Sequence, residues 1–586
     1  MKKLLSLAAA LVLALALITG CGRGGSDVGE VGDLLVGPML GANVETPNLD
    51  IDRPFYEFHL WYGYVWRSGQ PWGEDATSAH WGEMFNIYVR QSNPDANAME
   101  VLSLMITAND LPDAIWMERD AHAMDLARLG LLYSVAEMEA MVNNTWFRDY
   151  VGPETQALLS WNGVNYGIPN WARTGTIGVD GGATGGNFAW MVTTNVYEAV
   201  GSPVIRTFED LFDYAVAVRD ANLTNSVGAP IIPLLTNDGP NFGTQFVNGA
   251  IFRSMGGAVD QWWYTILPDG TYGSVLRIPE WREAVFEANR WFTEGLFPVT
   301  NLTNTVDDFR ANLNTGRGGL IWYDHSQDDA HSFRRILREG DPGNSIEIIT
   351  IQEGGRTYLY PPARGLPLSR IYHEHHNTTG WNSIFVTRQA ERPDRIFEFF
   401  TWLLTPMGSI EMMYGPRGEL WDSLDHNGNP VMRPGVFPSL LPAEEVTRLG
   451  LWRWDLVGAS NHVDDIKFAV NESLPEEYRS WVESQQANIF TPRLRLTNEF
   501  VAIMQEIDGT SPLGIQRQQI GDRFEEVLPQ AIMAGSRAEA ERILDDMLAF
   551  AEGLNLVEIE RVYNARFQYN LGTQGGRSIF RPPGTP

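Results

Sequence analysis

"TTGWNSIFVTRQAERPDRIFEFFTWLLTPMG", residues 378–408, carries a strand and a helix in direct succession. "SIFV" (383–386) is a short apolar run of the kind a buried strand needs. Pro393 then opens a helix, where its missing N–H costs nothing. Ile396, Phe397, Phe400, Leu403 and Leu404 recur on one face of it. The same alternation extends outward in both directions. "FYEFHLW" (55–61), "DAIWM" (113–117), "GLIWY" (319–323) and "IEIITI" (346–351) read as further strands. Between them lie amphipathic helices. Thr207 and Asp210 form a capping box ahead of Phe208, Leu211, Phe212, Ala215 and Val218. Pro279 starts a stripe of Trp281, Val285, Ala288, Trp291 and Phe292 that Gly295 ends. Ser536 and Glu539 make a second box before Ile543, Leu544, Met547, Leu548 and Ala551. Short strands alternating with such helices predict an α/β chain.

Composition narrows the partners. Hydrophobic residues at 44% and charged ones at 20% suit a globular core. The net charge of −30 would repel nucleic acid and anionic membrane surfaces. The 20 Trp, 19 Tyr and 27 Phe supply flat faces that pack on sugar C–H groups, although most aromatics in any chain are core.

The N-terminus reads as an address. Lys2 and Lys3 precede an uncharged run, Leu7–Ile18, too short to span a bilayer. Thr19 and Gly20 then lead to Cys21, the one cysteine of the chain. This resembles a bacterial lipoprotein signal, with residues 1–20 removed, Cys21 acylated, and the Gly- and Asp-rich stretch 21–52 acting as a tether. The expected location is extracytoplasmic, on the outer face of the cell membrane, held by lipid.

The order of segments resembles the extracellular solute-binding proteins of ABC importers, in particular the larger sugar-binding lipoproteins of Gram-positive bacteria. "NDLPDAIWM" (109–117) with "LARLGLLYSV" (126–135), "WNGVNYGIPN" (161–170), "WMVTTNVYEAVGSPVIRTFEDLFDYAVAV" (190–218), "WREAVFEANRWFTEGLF" (281–297), "LNTGRGGLIWY" (313–323), the 378–408 stretch and "YGPRGELW" (414–421) follow the family's succession. Arg206 stands where the family usually has Pro. The resemblance covers roughly 55–565 and implies a two-lobed periplasmic-binding-protein-like fold (type II), with hinge strands and an inter-lobe cleft. It divides the chain into lobe 1, 53–165 plus about 320–405, and lobe 2, 166–319 plus about 406–565, with 566–586 as a tail. It also implies capture of a solute, most readily an oligosaccharide, for delivery to permease subunits, with no catalysis, cofactor or metal.

Ligand contacts in the family come from loops at strand ends. The resemblance therefore marks Tyr64 and Trp66 after the first strand, and Trp116 and Asp120 where maltodextrin-binding relatives place a stacking aromatic and a sugar-binding carboxylate. It marks Asn170 and Trp171 after the first crossing, Trp322 at the end of the return strand, and Trp381 before a hinge strand. A buried core position is the alternative for each aromatic.

Other features carry less. "IYHEHHN" (371–377) lacks the zincin spacing, since Asn377 stands where the second His belongs, and reads as a solvated loop. "DHNGNP" (425–430) has its glycine two positions too early for an EF-hand and reads as a hairpin turn. "GGATGG" (181–186) reads as a mobile loop and not as a phosphate loop. Two rivals remain at this level. A secreted carbohydrate-active enzyme would need a marked carboxylate pair, and a ligand-presenting sensor lipoprotein would share every feature above.

Overall fold

The computed structural model describes residues 53–573 apart from short internal stretches, the longest at 173–187, 237–244 and 325–333. Cys21, the 21–52 tether, Trp66, the "GGATGG" segment and His373 lie outside the described residues. The described residues all fall in one compact unit that begins at Val44.

Among the described residues nine strands build the two larger sheets. They are β1 (Tyr56–Tyr62), β2 (Ile87–Ser92), β3 (Ala114–Glu118), β4 (Gly167–Pro169), β5 (Phe188–Thr193), β6 (Ile232–Thr236), β7 (Gly318–Asp324), β8 (Ile346–Ile348) and β9 (Asn382–Val386). The first sheet has the order β2-β1-β3-β9-β4, and the second β8-β5-β7-β6. β1 runs parallel to β2 and β3, whereas β9 lies antiparallel between β3 and β4.

Each sheet is covered by helices, which is why its strands read as nearly continuous apolar runs. On one face of the first sheet, Phe58 packs against Phe399 and Phe400 of the Pro393–Trp402 helix. Trp81 and Phe85, from the Ala76–Phe85 helix, close that layer against Trp402. On the other face Trp61, Ile115, Met117 and Phe385 bury against Met124 and Leu126. In the second lobe Trp190 and Trp291 stack at 6.2 Å, with Phe208 and Phe246 around them. Fully burying each such ring stabilises the fold by about 2–3 kcal/mol.

The capping box at Thr207 is present in both directions: Thr207 Oγ1 accepts from Asp210 N at 3.3 Å, and the Asp210 carboxylate accepts from Thr207 N at 2.8 Å. Thr207→Ala should cost about 1 kcal/mol, read as a fall in the urea midpoint; an unchanged midpoint would mean that this end is held by packing alone. The second expected box is only half made. Ser536 accepts from Glu539 N, but the Glu539 carboxylate accepts from Gly535 N, one residue early. "IEIITI" also splits, since β8 ends at Ile348 and a separate hairpin strand starts at Ile351. "DHNGNP" is a turn between the strands Trp421–Leu424 and Pro430–Met432, with the Asp425 carboxylate accepting from Asn427 N and Asn429 N.

The expected lobe boundaries need correction at three places. Residues 320–324 and 346–348 belong with the second sheet, because β7 and β8 both pair with β5. Residues from 406 to about 485 belong with the first. Glu411 accepts from Trp81 Nε1 at 2.8 Å, Leu449 O accepts from Thr77 Oγ1 at 2.6 Å, and Asp455 pairs with Arg67. A local apolar pattern states that a segment is buried but not which sheet buries it. Finally, 566 does not begin a tail: the last helix runs Leu556–Thr573, with Phe567 and Asn570 buried. Among the described residues no helix is long and apolar enough to cross a membrane.

Candidate functional site

The chain passes between the sheets three times. The first passage leaves β4 at Asn170, the second enters β9 through Thr378–Trp381, and the third runs from Arg495 to the Pro512–Met533 helix. They are stitched together by side-chain amides. Asn170 Oδ1 accepts from Trp381 N at 3.0 Å and from Asn382 N at 3.1 Å. Asn498 Oδ1 accepts from Thr378 N at 2.8 Å. The backbone at His375–His376 pairs in parallel with Arg495–Leu496. Each passage holds a residue with positive φ: Trp171 at 50°, Gly380 at 66° and Ala502 at 58°. Such backbone conformations persist only where surrounding structure enforces them.

A small cavity opens on these passages. Glu118, Arg119 and Asp120 form one wall, Thr379–Trp381 a second, and Thr497 with Phe500–Met504 a third. The first wall is the carboxyl end of β3, where ligands bind in α/β sheets. Beside it three aromatic rings meet, two contacts edge to face and the Tyr64–Trp381 contact tilted. Tyr64 lies 4.8 Å from Trp116 and 5.5 Å from Trp381, and the two indoles are 5.4 Å apart. Trp381 is 38% exposed, whereas Trp116 is 1% exposed. Trp116 thus supports the rings that face solvent. Arg67 lies 5.3 Å over Trp116 and is held by Arg453 O and Asp455.

The charged groups have distinct duties. Arg119 donates through Nη1 to Asn382 O (2.5 Å) and Ser383 Oγ (3.3 Å), and through Nη2 to Thr379 Oγ1 (3.0 Å) and Gly380 O. It rivets the second passage to β3. Burial lowers its pKa to about 10. Asp120 Oδ1 accepts from His122 N and Ala123 N and so caps the Ala121–Arg128 helix. Glu118 is pushed up to about 7, first by burial and then by Asp120, with Arg119 opposing. Burial, with Glu118 and Asp120 adding to it, also raises the Tyr64 hydroxyl far above its ordinary range.

No protein-family profile matches the sequence. No curated protein matches it either. The fold does have solved counterparts. The alginate-binding protein AlgQ2, in a structure without calcium ion, has a TM-score of 0.62 at 12% identity, covering 88% of this chain and 98% of that one. An HMO-binding, ABC-transporter-associated solute-binding protein from Bifidobacterium longum infantis has a TM-score of 0.57 at 12% identity, covering 88% and 99%. The S. pneumoniae ABC-transporter substrate-binding protein FusA, in complex with kestose, has a TM-score of 0.57 at 13% identity, covering 89% and 100%. The fold is that of a solute-binding protein.

Within this solute-binding fold the marked residues separate into groups. Tyr64, Trp116 and Trp381 come together in the aromatic cluster, and Asp120 lies on the cavity wall. Asn170 sits beneath them as a stitch between passages, and Trp171 follows it, half-buried. Trp322 stands apart. It faces Trp190 across the second sheet at 5.1 Å, is flanked by Phe188 and Tyr360, and is 2% exposed. It therefore has no free face for stacking. Glu118, Arg119 and Arg67 were missed. Glu118 was within reach of the sequence, since strand alternation puts it on the same side as Trp116 two residues earlier. Arg67 and the Phe500–Met504 wall had no local signal, because they reach the cleft from distant parts of the chain.

Proposed function

We propose that this chain captures a saccharide in the cleft at the three passages and delivers it to an ABC-importer permease, acting as a binding protein and not as an enzyme. The carrying observation is the exposed indole of Trp381, packed against Tyr64 and Trp116 at the mouth of a cavity that carries carboxylates. An apolar face beside a few polar groups is what a sugar ring presents in complement. The three solved counterparts support the reading, since their names give an alginate-binding protein, an HMO-binding protein and a protein bound to kestose. Acylation at Cys21 would keep the protein beside its transporter and raise the effective concentration of the encounter.

The test is thermal unfolding of the chain against a saccharide panel, with reducing ends monitored. A saccharide at a hundred times its Kd adds about 2.7 kcal/mol, a clear rise in Tm, with no product formed. Trp381→Ala should leave the unliganded Tm nearly unchanged, because the ring is partly exposed, yet weaken binding at least about tenfold. Full affinity in that variant would remove Trp381 from the site. Silence across the whole panel would sink the saccharide reading.

A further inference from the structure

The cavity wall holds three charged residues, Glu118, Arg119 and Asp120, and every other described lining residue is uncharged. The two terminal nitrogens of Arg119 are already committed to Asn382 O, Ser383 Oγ, Thr379 Oγ1 and Gly380 O. One oxygen of Asp120 is committed to capping a helix. Glu118 differs from both. It sits at the last position of β3, paired in register with Asn382, and no hydrogen bond to its carboxyl is made among the described residues. A half-buried carboxylate whose acceptors are not used by the protein is prepared for donors that arrive from outside. Among the described lining residues the one cation, Arg119, points its terminal nitrogens at the second passage.

We infer that Glu118 sets the charge specificity of the cleft: it accepts hydrogen bonds from a saccharide unit rich in donors, hydroxyl or ammonium, and turns away uronate-bearing saccharides. The inference rests on the saccharide reading above and narrows its substrate class. A second carboxylate brought against Glu118 and Asp120 would add like charge in a partly desolvated wall, where both terminal nitrogens of Arg119 are already bonded to the second passage. The charged and titratable groups around Glu118 are Asp120 and Arg119 from its own strand end and the Tyr64 hydroxyl from the end of β1. Among the described residues the second and third passages bring Thr379–Trp381, Thr497 and Phe500–Met504 to the wall, and beyond Asp120 stand the Tyr563 hydroxyl and Arg517.

Hydroxyl donors favour the ionised carboxylate, so binding of a neutral saccharide should draw Glu118 into that form. With a free-state pKa of about 7, affinity for a neutral saccharide should rise about tenfold from pH 6 to pH 8.

The experiment probes the whole chain on an array of neutral, amino and uronic oligosaccharides, then measures affinities of the retained ones by calorimetry at pH 6 and pH 8, for wild type and Glu118→Gln. Expected are neutral and amino binders only, at least tenfold weaker binding by Glu118→Gln, and loss of the pH step in that variant. A uronate bound by wild type as tightly as its neutral counterpart would overturn the inference while leaving saccharide capture intact. So would a Glu118→Gln protein with full affinity and an unchanged pH step. Should that variant not fold, the wild-type pH profile and the uronate comparison decide alone. If no saccharide is retained at all, both this inference and the reading beneath it fall.

Discussion

Gly380→Ala is expected to cost the chain about 3–5 kcal/mol of stability and to abolish ligand binding with it. The backbone at Gly380 has φ of 66°, which by itself costs an L-residue roughly 1–2 kcal/mol. Space makes the larger contribution. A Cβ there would lie 1.8 Å from Asn170 O and 2.3 Å from Asn170 Oδ1, and both atoms are fixed by their own bonds. Asn170 N donates to Asn382 O, and Asn170 Oδ1 accepts from Trp381 N and Asn382 N. The first and second passages would have to part, and Trp381 is the next residue along. Gly73→Ala is the control: its φ is 85°, but nothing lies within 4 Å of its added Cβ, so only the conformational cost applies. Equal losses of urea midpoint in the two variants would show that the passages give way easily, and would remove the stitched hinge from the explanation of the site.

That contrast also marks what could be read from the chain beforehand. The 378–408 stretch announced β9 and its following helix because both have local periods: alternation for "SIFV", and a recurring face from Ile396 to Leu404. The same local character told that Trp116 and Trp322 lie in apolar strands, but not that one lies beside the cleft and the other inside the second sheet. Sheet membership is decided by long-range pairing. The pairing of β7 with β5 drew residues 320–324 away from the lobe expected for them. The aromatic part of the candidate site was legible because Tyr64 and Trp381 flank the strands β1 and β9 and Trp116 lies in β3. Its charged part was not, because the duties of Glu118, Arg119 and Asp120 depend on which neighbours each one meets. Three adjacent residues thus act as an open acceptor, a rivet and a helix cap.

Arg119→Met should produce the second large effect, a loss of about 3–5 kcal/mol, and one with a pH signature. The substitution keeps an unbranched side chain but withdraws the donors from Asn382 O, Gly380 O, Ser383 Oγ and Thr379 Oγ1. Arg119→Lys should recover only part of the loss, since one ammonium cannot fork across two passages as a guanidinium does. The signature comes from Glu118. Its folded-state pKa, about 7, stands above the ordinary value of 4.5, so in that window the folded chain holds a proton that the unfolded chain has released. Stability therefore falls as pH rises from about 4.5 through about 7. Arg119 limits this fall because its positive charge favours the ionised carboxylate. Without it the fall deepens, and the deficit of Arg119→Met relative to wild type should be larger at pH 8 than at pH 5. Urea unfolding at the two pH values measures it. Equal deficits would mean that Arg119 acts only through its hydrogen bonds to the second passage, and that its charge has no part in holding Glu118 ready for a ligand.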